Sequence, residues 1–337
     1  MDLNILWFVL LGLLLLGYAV LDGFDLGVGM LHLFVRDDIE RRIVLNSIGP
    51  LWDGNEVWLV VFGGALFAAF PEAYATMLSA LYLPIMVLLF SLIGRAISIE
   101  FRSKRPSKAW RSYWDFSFFL SSFVVTSLFG VAAGNAIVGI PLDVRGEYAG
   151  SLLGLVTPYT AAVGLFTCSA AALHGSIFLY LKTEGELQKR VHGWMWRTFF
   201  VFLAMYVVVT GSTLAFVPHA TDNLERWPIT WIIPFLNALA VANIPRAIHK
   251  GKPRYAFFSS CCVIAALVAL FGLAIFPNLV VSSSAAPSLT IYNAASSPKT
   301  LAIMAVIAAI GMPFVLTYTG IVYWVFRGKV QLSKLAY

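Results

Sequence analysis

The sequence is poor in charge. Of its 337 residues only 12% are charged while 60% are hydrophobic, and the mean hydropathy is +0.83. A soluble domain of this size cannot cover so much apolar surface with so few charged side chains. Apolar runs of about 20 residues, long enough to cross a bilayer, recur along the whole chain. The composition therefore excludes a soluble globular protein and predicts an all-α, multi-pass membrane protein.

Cysteine and histidine are also scarce. The cysteines Cys168, Cys261 and Cys262 all fall in apolar runs, with neither a disulfide framework nor a zinc spacing. Of the five histidines only His174 lies well inside a predicted span, whereas a bis-histidine haem needs two that face each other. There is no Walker or Rossmann glycine pattern after a predicted strand. The sequence thus predicts no catalytic redox centre, no bound cofactor and no metal site in this chain.

Nine membrane spans are predicted, separated by polar, proline-containing or glycine-containing breaks. They cover 4–32, 50–70, 73–100, 113–138, 157–182, 193–216, 229–248, 254–278 and 300–326. No segment is long enough for a separate soluble domain, so residues 1–337 form a single integral membrane domain. An N-terminus without a basic region or a small-residue cleavage site predicts that the first span is retained rather than removed as a signal peptide.

The basic residues indicate an orientation. The loops after spans 1, 3, 5 and 7, together with the C-terminal tail, hold 15 of the 23 lysines and arginines, whereas the loops after spans 2, 4, 6 and 8 hold only three. By the positive-inside bias, the N-terminus faces outward and the tail, with Arg327, Lys329 and Lys334, faces the cytoplasm. The net charge of +6 is therefore explained by orientation in a lipid membrane, and no nucleic-acid partner is predicted.

The first span contains two carboxylates, in the stretch "GYAVLDGFDLGVGM" (17–30). Asp22 and Asp25 are three residues apart and share one side of a helix with Tyr18. A carboxylate inside a bilayer costs at least a few kcal/mol, so such residues usually face a bundle interior or a wet cavity. Two roles stay open: the pair relays protons, or it supports a kink, bonds exposed backbone or lies close to the headgroups. The surrounding glycines permit close helix packing.

A second polar stretch, "NSIGPLWDGNEVWLVVFGG" (46–64), opens the second span at its cytoplasmic end. Asp53 and Glu56 could extend a polar path toward the pair in span 1. An acid followed three residues later by Glu also fits a capping-box pattern, which would make both residues structural. Trp52 and Trp58 either anchor the helix at the interface or form the wall of the path.

The third span contains Arg95, with Glu100 near its inner end. Arg95 could extend toward the cytoplasmic surface near Glu100, or it could pair with a carboxylate of span 1 or 2. Both alternatives are compatible with the sequence.

These stretches resemble subunit II of the cytochrome bd-type quinol oxidases, a group that includes the cyanide-insensitive branch. The resemblance rests on "GYAVLDGFDLGVGM", "ERRIVLNSIGPLWDGNEVWLVVFGGALFAAFPEAYA" and "GRAISIEFRSK". Over the second half it rests on the number of spans, "GLAIFPNLV" and "SLTIYNAASS".

The resemblance implies a fold and a partner. Two four-helix bundles plus one extra helix are expected, here residues 1–138, 157–278 and 300–326. The expected partner is subunit I, which forms a heterodimer with this chain and holds two b-type haems, one d-type haem and the quinol site. The complex oxidises quinol, reduces dioxygen to water and takes protons from the cytoplasm, in a prokaryotic cytoplasmic (inner) membrane. Some members hold a structural quinone in subunit II, and a small single-span accessory subunit can accompany the pair.

The resemblance also implies residue roles. Asp53 matches an aspartate on the proton route, and Trp58 matches a tryptophan near the proposed dioxygen entrance. Asp22 and Asp25 match the acidic pair of the first helix. Glu56 stands where some relatives have glutamine, so it either reinforces the route or caps the helix.

Two other classes of function fit a membrane protein with buried acids. An independent proton-coupled secondary transporter would show a midplane binding site and related halves, but no later repeat of "DGFD" occurs. A structural scaffold would use the acids only to hold helices together.

Overall fold

The computed structural model describes residues 2–331, so Lys334 lies outside the described residues. Helices account for most of this range, and the predicted all-α fold class is confirmed. The helices are α1 (Leu3–Leu31), α2 (Asp38–Ile48), α3 (Trp52–Ala69), α4 (Pro71–Ala80), α5 (Tyr82–Phe101), α6 (Lys108–Val138), α7 (Pro158–Lys182), α8 (Gly185–Phe216), α9 (Asp222–Arg226), α10 (Ile232–His249), α11 (Pro253–Ile275) and α12 (Pro298–Val325).

Eight helices within residues 2–331 are long and apolar enough to cross a membrane, namely α1, α5, α6, α7, α8, α10, α11 and α12. The remaining predicted span, 50–70, corresponds to α3, which has 18 residues and is therefore about 27 Å long. Its first turns contain Asp53, Asn55 and Glu56, which lower the hydropathy of this short helix. The count of nine spans and the division into two bundles stay predictions.

The predicted span 73–100 is in fact two helices, α4 and α5, joined at Leu81. Pro84 explains the break, because its ring has no N–H to donate to the carbonyl of Ala80 and clashes with that carbonyl in a continuous helix. Phe70 ends α3 in a non-helical conformation, with φ −138° and ψ 67°. This residue precedes Pro71, and a following proline disfavours helical geometry.

A short hairpin was not predicted from the sequence. Strand β1 (Asn278–Val280) pairs antiparallel with β2 (Leu289–Thr290) in the loop between α11 and α12. Beside it, the backbone N–H of Ile140 donates to Val281 O at 2.9 Å, and that of Ser283 donates to Ile140 O at 3.0 Å. The hairpin therefore fastens the α6–α7 loop to the α11–α12 loop.

Helix α1 lies at the centre of the molecule and packs closely on α7. A Cβ added to Gly27 would collide with the carbonyl oxygen of Ala171 and would lie 3.0 Å from Cα of Gly175. A Cβ added to Gly175 would lie 2.6 Å from the backbone carbon of Gly27. These glycines let two backbones touch, as small residues do at helix interfaces in membranes.

Helix α12 is held mainly at its two ends. Near its start, Trp7 Nε1 donates to Leu301 O at 2.9 Å. Beyond its other end, Lys329 Nζ donates to Thr183 O at 2.7 Å, and Lys182 Nζ donates to Phe326 O. Of the residues of α12, all of which are described, only Leu301 is buried. Most of its apolar surface therefore faces outward.

Candidate functional site

The two acids of α1 lie inside the protein rather than against lipid. Asp22 and Asp25 are both completely buried. They precede the end of α1 by nine and six residues, which corresponds to about 14 and 9 Å along the axis. Side chains of α3, α5 and α12 meet them there, and we call this group the acid cluster: Asp22, Asp25, Asn55, Glu56, Arg95 and Tyr323.

Arg95 of α5 forms a two-pronged ion pair with Asp22. Its Nη1 donates to Asp22 Oδ2 at 2.8 Å, and its Nη2 donates to Asp22 Oδ1 at 2.5 Å. Arg95 is itself completely buried. Of the two alternatives open from the sequence, the structure has Arg95 paired with a carboxylate of the first helix. Such bidentate pairing holds both side chains in one geometry.

Asp25 is joined to the last long helix through Asn55. Asn55 Nδ2 donates to Asp25 Oδ2 at 2.7 Å and to the backbone oxygen of Leu21 at 3.1 Å. Tyr323 of α12 donates its hydroxyl to Asn55 Oδ1 at 2.9 Å. Within the described residues, Asp25 Oδ1 has no hydrogen-bond partner, so this buried oxygen is available to a water molecule or a proton.

Glu56 and Asp53 connect the cluster to the surface of the chain. Glu56 Oε1 lies 3.1 Å from Arg95 Nη1, and its side chain is 21% exposed. Asp53, one helical turn earlier on α3, is exposed. The acids therefore become progressively more buried from Asp53 through Glu56 to Asp22 and Asp25.

The helix-cap alternative for Asp53 and Glu56 is wrong. Helix α3 begins at Trp52, and its N-cap residue is Leu51, which makes no side-chain capping hydrogen bond. Asp53 is the second residue of the helix and cannot occupy the N-cap position that a capping box requires. Its charge still interacts favourably with the positive end of the helix dipole.

The two tryptophans are buried, as is most of the side of α3 that faces α1. Trp58 lies against the backbone of Gly17, where a Cβ would collide with the indole ring, and packs with Leu14 and Tyr18. Trp52 packs in a separate apolar cluster near the end of α1. Glu100 is half-buried near the end of α5.

A second ionic cluster, which was not predicted from the sequence, lies near the end of α1. His32 and Asp115 are both buried, with His32 Nε2 and Asp115 Oδ1 separated by 2.5 Å. Arg102 Nε donates to Asp115 Oδ1 at 2.5 Å, and Arg41 Nη1 donates to Asp115 Oδ2 at 2.6 Å. Asp38 accepts from Arg102 at 2.8 Å and from Arg111 at 2.7 Å.

The residues of this second cluster are recognisable in the sequence, but its basic residues were interpreted as indicators of membrane orientation. Arg41, Arg102 and Arg111 stand in loops or helix ends where basic residues indicate orientation. Asp115, eight positions into α6, is an acid inside a predicted span and meets the same criterion that singled out Asp22 and Asp25. The three arginines thus pair with two carboxylates, the buried one of Asp115 and the partly exposed one of Asp38, at the end where the positive charge accumulates.

The two completely buried histidines of the described residues, His32 and His174, are engaged by other groups of the protein. His174 Nδ1 lies 2.7 Å from Ser260 Oγ, and His174 Nε2 lies 3.0 Å from the backbone oxygen of Val20. Both ring nitrogens are therefore engaged within the protein, and the Nε2 of His32 is engaged by Asp115. Within residues 2–331, no group of three or more histidine, cysteine, aspartate or glutamate side chains could hold a metal ion.

The charge balance of the acid cluster determines what it can do chemically. Three carboxyl groups, those of Asp22, Asp25 and Glu56, surround one guanidinium, that of Arg95. An unpaired carboxylate is costly in a low-dielectric interior. The cluster is electrically neutral when two of the three carboxyls carry protons. Asp22 is fixed by Arg95, so Asp25 and Glu56 are the groups best placed to gain and release a proton.

Comparison with known proteins identifies relatives over the whole chain. A family model described as cytochrome bd terminal oxidase subunit II matches residues 3–326. The chain is 34% identical to cytochrome bd-I ubiquinol oxidase subunit 2 of Escherichia coli (strain K12), over 99% of this chain and 96% of that protein. It is also 34% identical to cytochrome bd ubiquinol oxidase subunit 2 of Bacillus subtilis (strain 168), over 98% and 97%. A chain in the solved structure of bd oxidase from Geobacillus thermodenitrificans matches with a TM-score of 0.80 over 97% of this chain and 99% of that chain. Its identity of 18% makes this a similarity of fold alone.

Proposed function

Because this chain belongs to the cytochrome bd terminal oxidase subunit II family, whose complexes are oxidoreductases of the bacterial inner membrane, we propose that it acts beside subunit I. The complex oxidises quinol and reduces dioxygen to water. This chain supports subunit I and gives protons from the cytoplasm access to the reaction.

The haems of the complex, two b-type and one d-type, are assigned to subunit I in this proposal. In support of this assignment, both ring nitrogens of His174, the histidine that lies well inside a span, are bonded within the protein. A structural quinone in this chain and a small accessory subunit stay predictions from the resemblance.

One observation carries the proposal for proton access: the acids of α1 and α3 form a graded series from the surface to the interior. Asp53 is exposed, the side chain of Glu56 is 21% exposed, and Asp25 is completely buried. Carboxyl groups joined by water can transfer protons through a low-dielectric region. Asp53 collects protons in this scheme, Glu56 and Asp25 pass them on, and Asp22 with Arg95 holds the geometry.

Trp52 and Trp58 form the wall beside this route. Trp58 fills the space between α3 and Gly17 of α1, so it separates the acid cluster from the outer half of the membrane. In the proposal this tryptophan also borders the dioxygen entrance.

The test uses the purified complex with Asp53→Asn or Glu56→Gln, each of which removes a titrating carboxyl and keeps the shape. Quinol oxidase turnover should fall about tenfold or more, while haem content stays normal. This decrease is smaller than the rate enhancement that a positioned proton-transfer group typically provides. Glu72→Gln is the matched control, because Glu72 is an exposed acid in the first turn of α4, at the opposite end of α3. Normal turnover in both Asp53 and Glu56 variants would overturn the proton route, and loss of haem would assign these residues a structural role.

The alternative, an independent proton-coupled secondary transporter, is distinguished by purification. A subunit of the oxidase should copurify from its native membrane with a haem-containing partner whose reduced spectrum has b and d bands. A transporter should purify alone and colourless.

A further inference from the structure

The turn between α5 and α6 concentrates positive charge. Residues 102–114, which we call the α5–α6 segment, contain five basic residues and no acid: Arg102, Lys104, Arg105, Lys108 and Arg111. Asp38 and Asp115 neutralise Arg102 and Arg111 in part, because each arginine donates to one or both of them. Lys104, Arg105 and Lys108 are exposed, and no ion pair of theirs occurs among the salt bridges of residues 2–331.

Buried donors without partners are gathered in the same segment. Within the described part of the chain, Arg102 Nη1, Ser103 Oγ, Arg111 Nε and Trp114 Nε1 have no hydrogen-bond partner. Arg102 is 1% exposed, so its free Nη1 is a cationic donor inside the protein. Buried donors of this kind are normally satisfied by protein, water or a ligand, and a charged donor left unsatisfied is costly.

The side chains of Arg102 and Arg111 meet at one carboxylate. Arg102 and Arg111 bond the two oxygens of one carboxylate, that of Asp38, at 2.8 and 2.7 Å. Ser103 adjoins Arg102 in sequence, and Trp114 follows Arg111 by three residues on one side of α6. An acceptor with several oxygens could therefore reach more than one of these donors, as a phosphate group does with arginine.

Aromatic side chains border the donors. Trp114 makes edge-to-face contacts with Phe101, Trp110 and Tyr113, at ring-centroid distances of 5.9, 5.5 and 4.9 Å. Arg105 lies over the ring of Trp110 at 4.9 Å. Amphipathic aromatic rings of this kind occupy the headgroup region of a membrane. Cations and free donors beside such rings are typical of a segment at the level of the lipid phosphates.

We propose that the α5–α6 segment binds the phosphate headgroup of an anionic phospholipid, through Arg102, Ser103, Arg111 and Trp114. The exposed Lys104, Arg105 and Lys108 attract the negative headgroup, and their long side chains can move to admit it. A basic cluster immediately beside a membrane helix is typical of anionic-lipid recognition. Bound lipid would fasten α5 to α6 at the end where Arg95 and Asp115 enter the two ionic clusters.

The test measures lipid retained by the purified, detergent-solubilised complex in native mass spectrometry. Phosphatidylglycerol, phosphatidylcholine with the same acyl chains, and inorganic phosphate serve as probes. The triple variant Lys104→Gln/Arg105→Gln/Lys108→Gln lowers the charge. Trp114→Phe removes one free donor and keeps an aromatic ring. The matched control is Lys250→Gln/Lys252→Gln/Arg254→Gln, which removes three exposed cations from another basic loop predicted to face the cytoplasm.

The unaltered complex and the control triple should retain phosphatidylglycerol in preference to phosphatidylcholine. The α5–α6 triple should weaken this retention about tenfold or more, since each cation near the surface contributes about fivefold. Trp114→Phe should weaken it by a smaller factor, with the thermal midpoint of the complex unchanged. Equal retention by the α5–α6 triple and the control triple would overturn the proposal. Displacement of phosphatidylglycerol by millimolar inorganic phosphate would also overturn it, since the site would then bind a free anion.

Discussion

At the scale of single residues, the pairing of Asp22 with Arg95 accounts for how two buried charges persist in a membrane helix bundle. Both side chains are completely buried, and two hydrogen bonds join them. Arg95→Leu should therefore destabilise the complex by about 3–5 kcal/mol, because it leaves the carboxylate of Asp22 buried without its partner. Thermal unfolding of the purified complex, followed by haem absorbance, measures the change.

The double variant Asp22→Asn/Arg95→Gln is the control for that prediction. It removes both charges and keeps side chains of similar size that can still bond each other, so most of the lost stability should return. If the double variant were as unstable as Arg95→Leu, shape at this position would matter more than charge, and the ion pair would not be the cause.

Buried ionisable residues were recognisable from the sequence where a polar group stood alone in an apolar run. Asp22, Asp25 and Arg95 were recognisable because ionisable side chains inside a span are expensive. Tyr323 was not singled out as a site residue, since a tyrosine near the end of a span is typical of an interface anchor. Only the packing of α12 against α3 brings its hydroxyl to Asn55. Because the two residues are far apart in the sequence, no local pattern predicts this contact.

At the scale of helices, the close approach of α1 and α7 depends on glycine. Gly27→Ala should destabilise the protein by about 1–3 kcal/mol, because the added methyl meets the backbone of Ala171 and Gly175 and the helices must separate. Gly12→Ala on the same helix is the control. Nothing lies within 4 Å of a Cβ there, so this change should be neutral or stabilise by up to about 1 kcal/mol.

Thermal midpoints of the two complexes distinguish these outcomes. Equal midpoints for the two variants would mean that α1 and α7 can move apart at little cost, contrary to the packing described above.

Helix boundaries were predictable to the extent that hydropathy defines them. Helix α7 (Pro158–Lys182) differs by one residue from the predicted span 157–182, since Thr157 and Pro158 mark its start in the sequence. Helix α8 begins at Gly185, whereas the predicted span begins at 193. Its first two turns are polar, so hydropathy did not include them in the span although they are helical. The break at Leu81 was not predicted, because the apolar run is continuous there. Its prediction would have required more weight on the helix-breaking effect of Pro84 than on hydropathy.

At the scale of the whole molecule, the fold class and the family followed from the sequence, while the relation between distant segments did not. The membrane class follows from the average composition, which no local detail can reverse. The hairpin over the α6–α7 loop depends on contacts between residues about 140 positions apart, such as Ile140 with Val281. No local pattern encodes a contact of that separation.

Orientation is the whole-molecule property on which cytoplasmic proton uptake depends, because the exposed acid Asp53 stands at the end of α3 where the basic loops gather. In a cysteine-free background, Ser284→Cys in the hairpin loop should react with a membrane-impermeant maleimide in intact cells. Lys250→Cys, equally exposed in the α10–α11 turn, should react only after the membrane is opened. The positive-inside bias gives this order. The reverse labelling order would place Asp53 on the outer side, so protons entering there would come from outside the cell and the proposed route from the cytoplasm would fail.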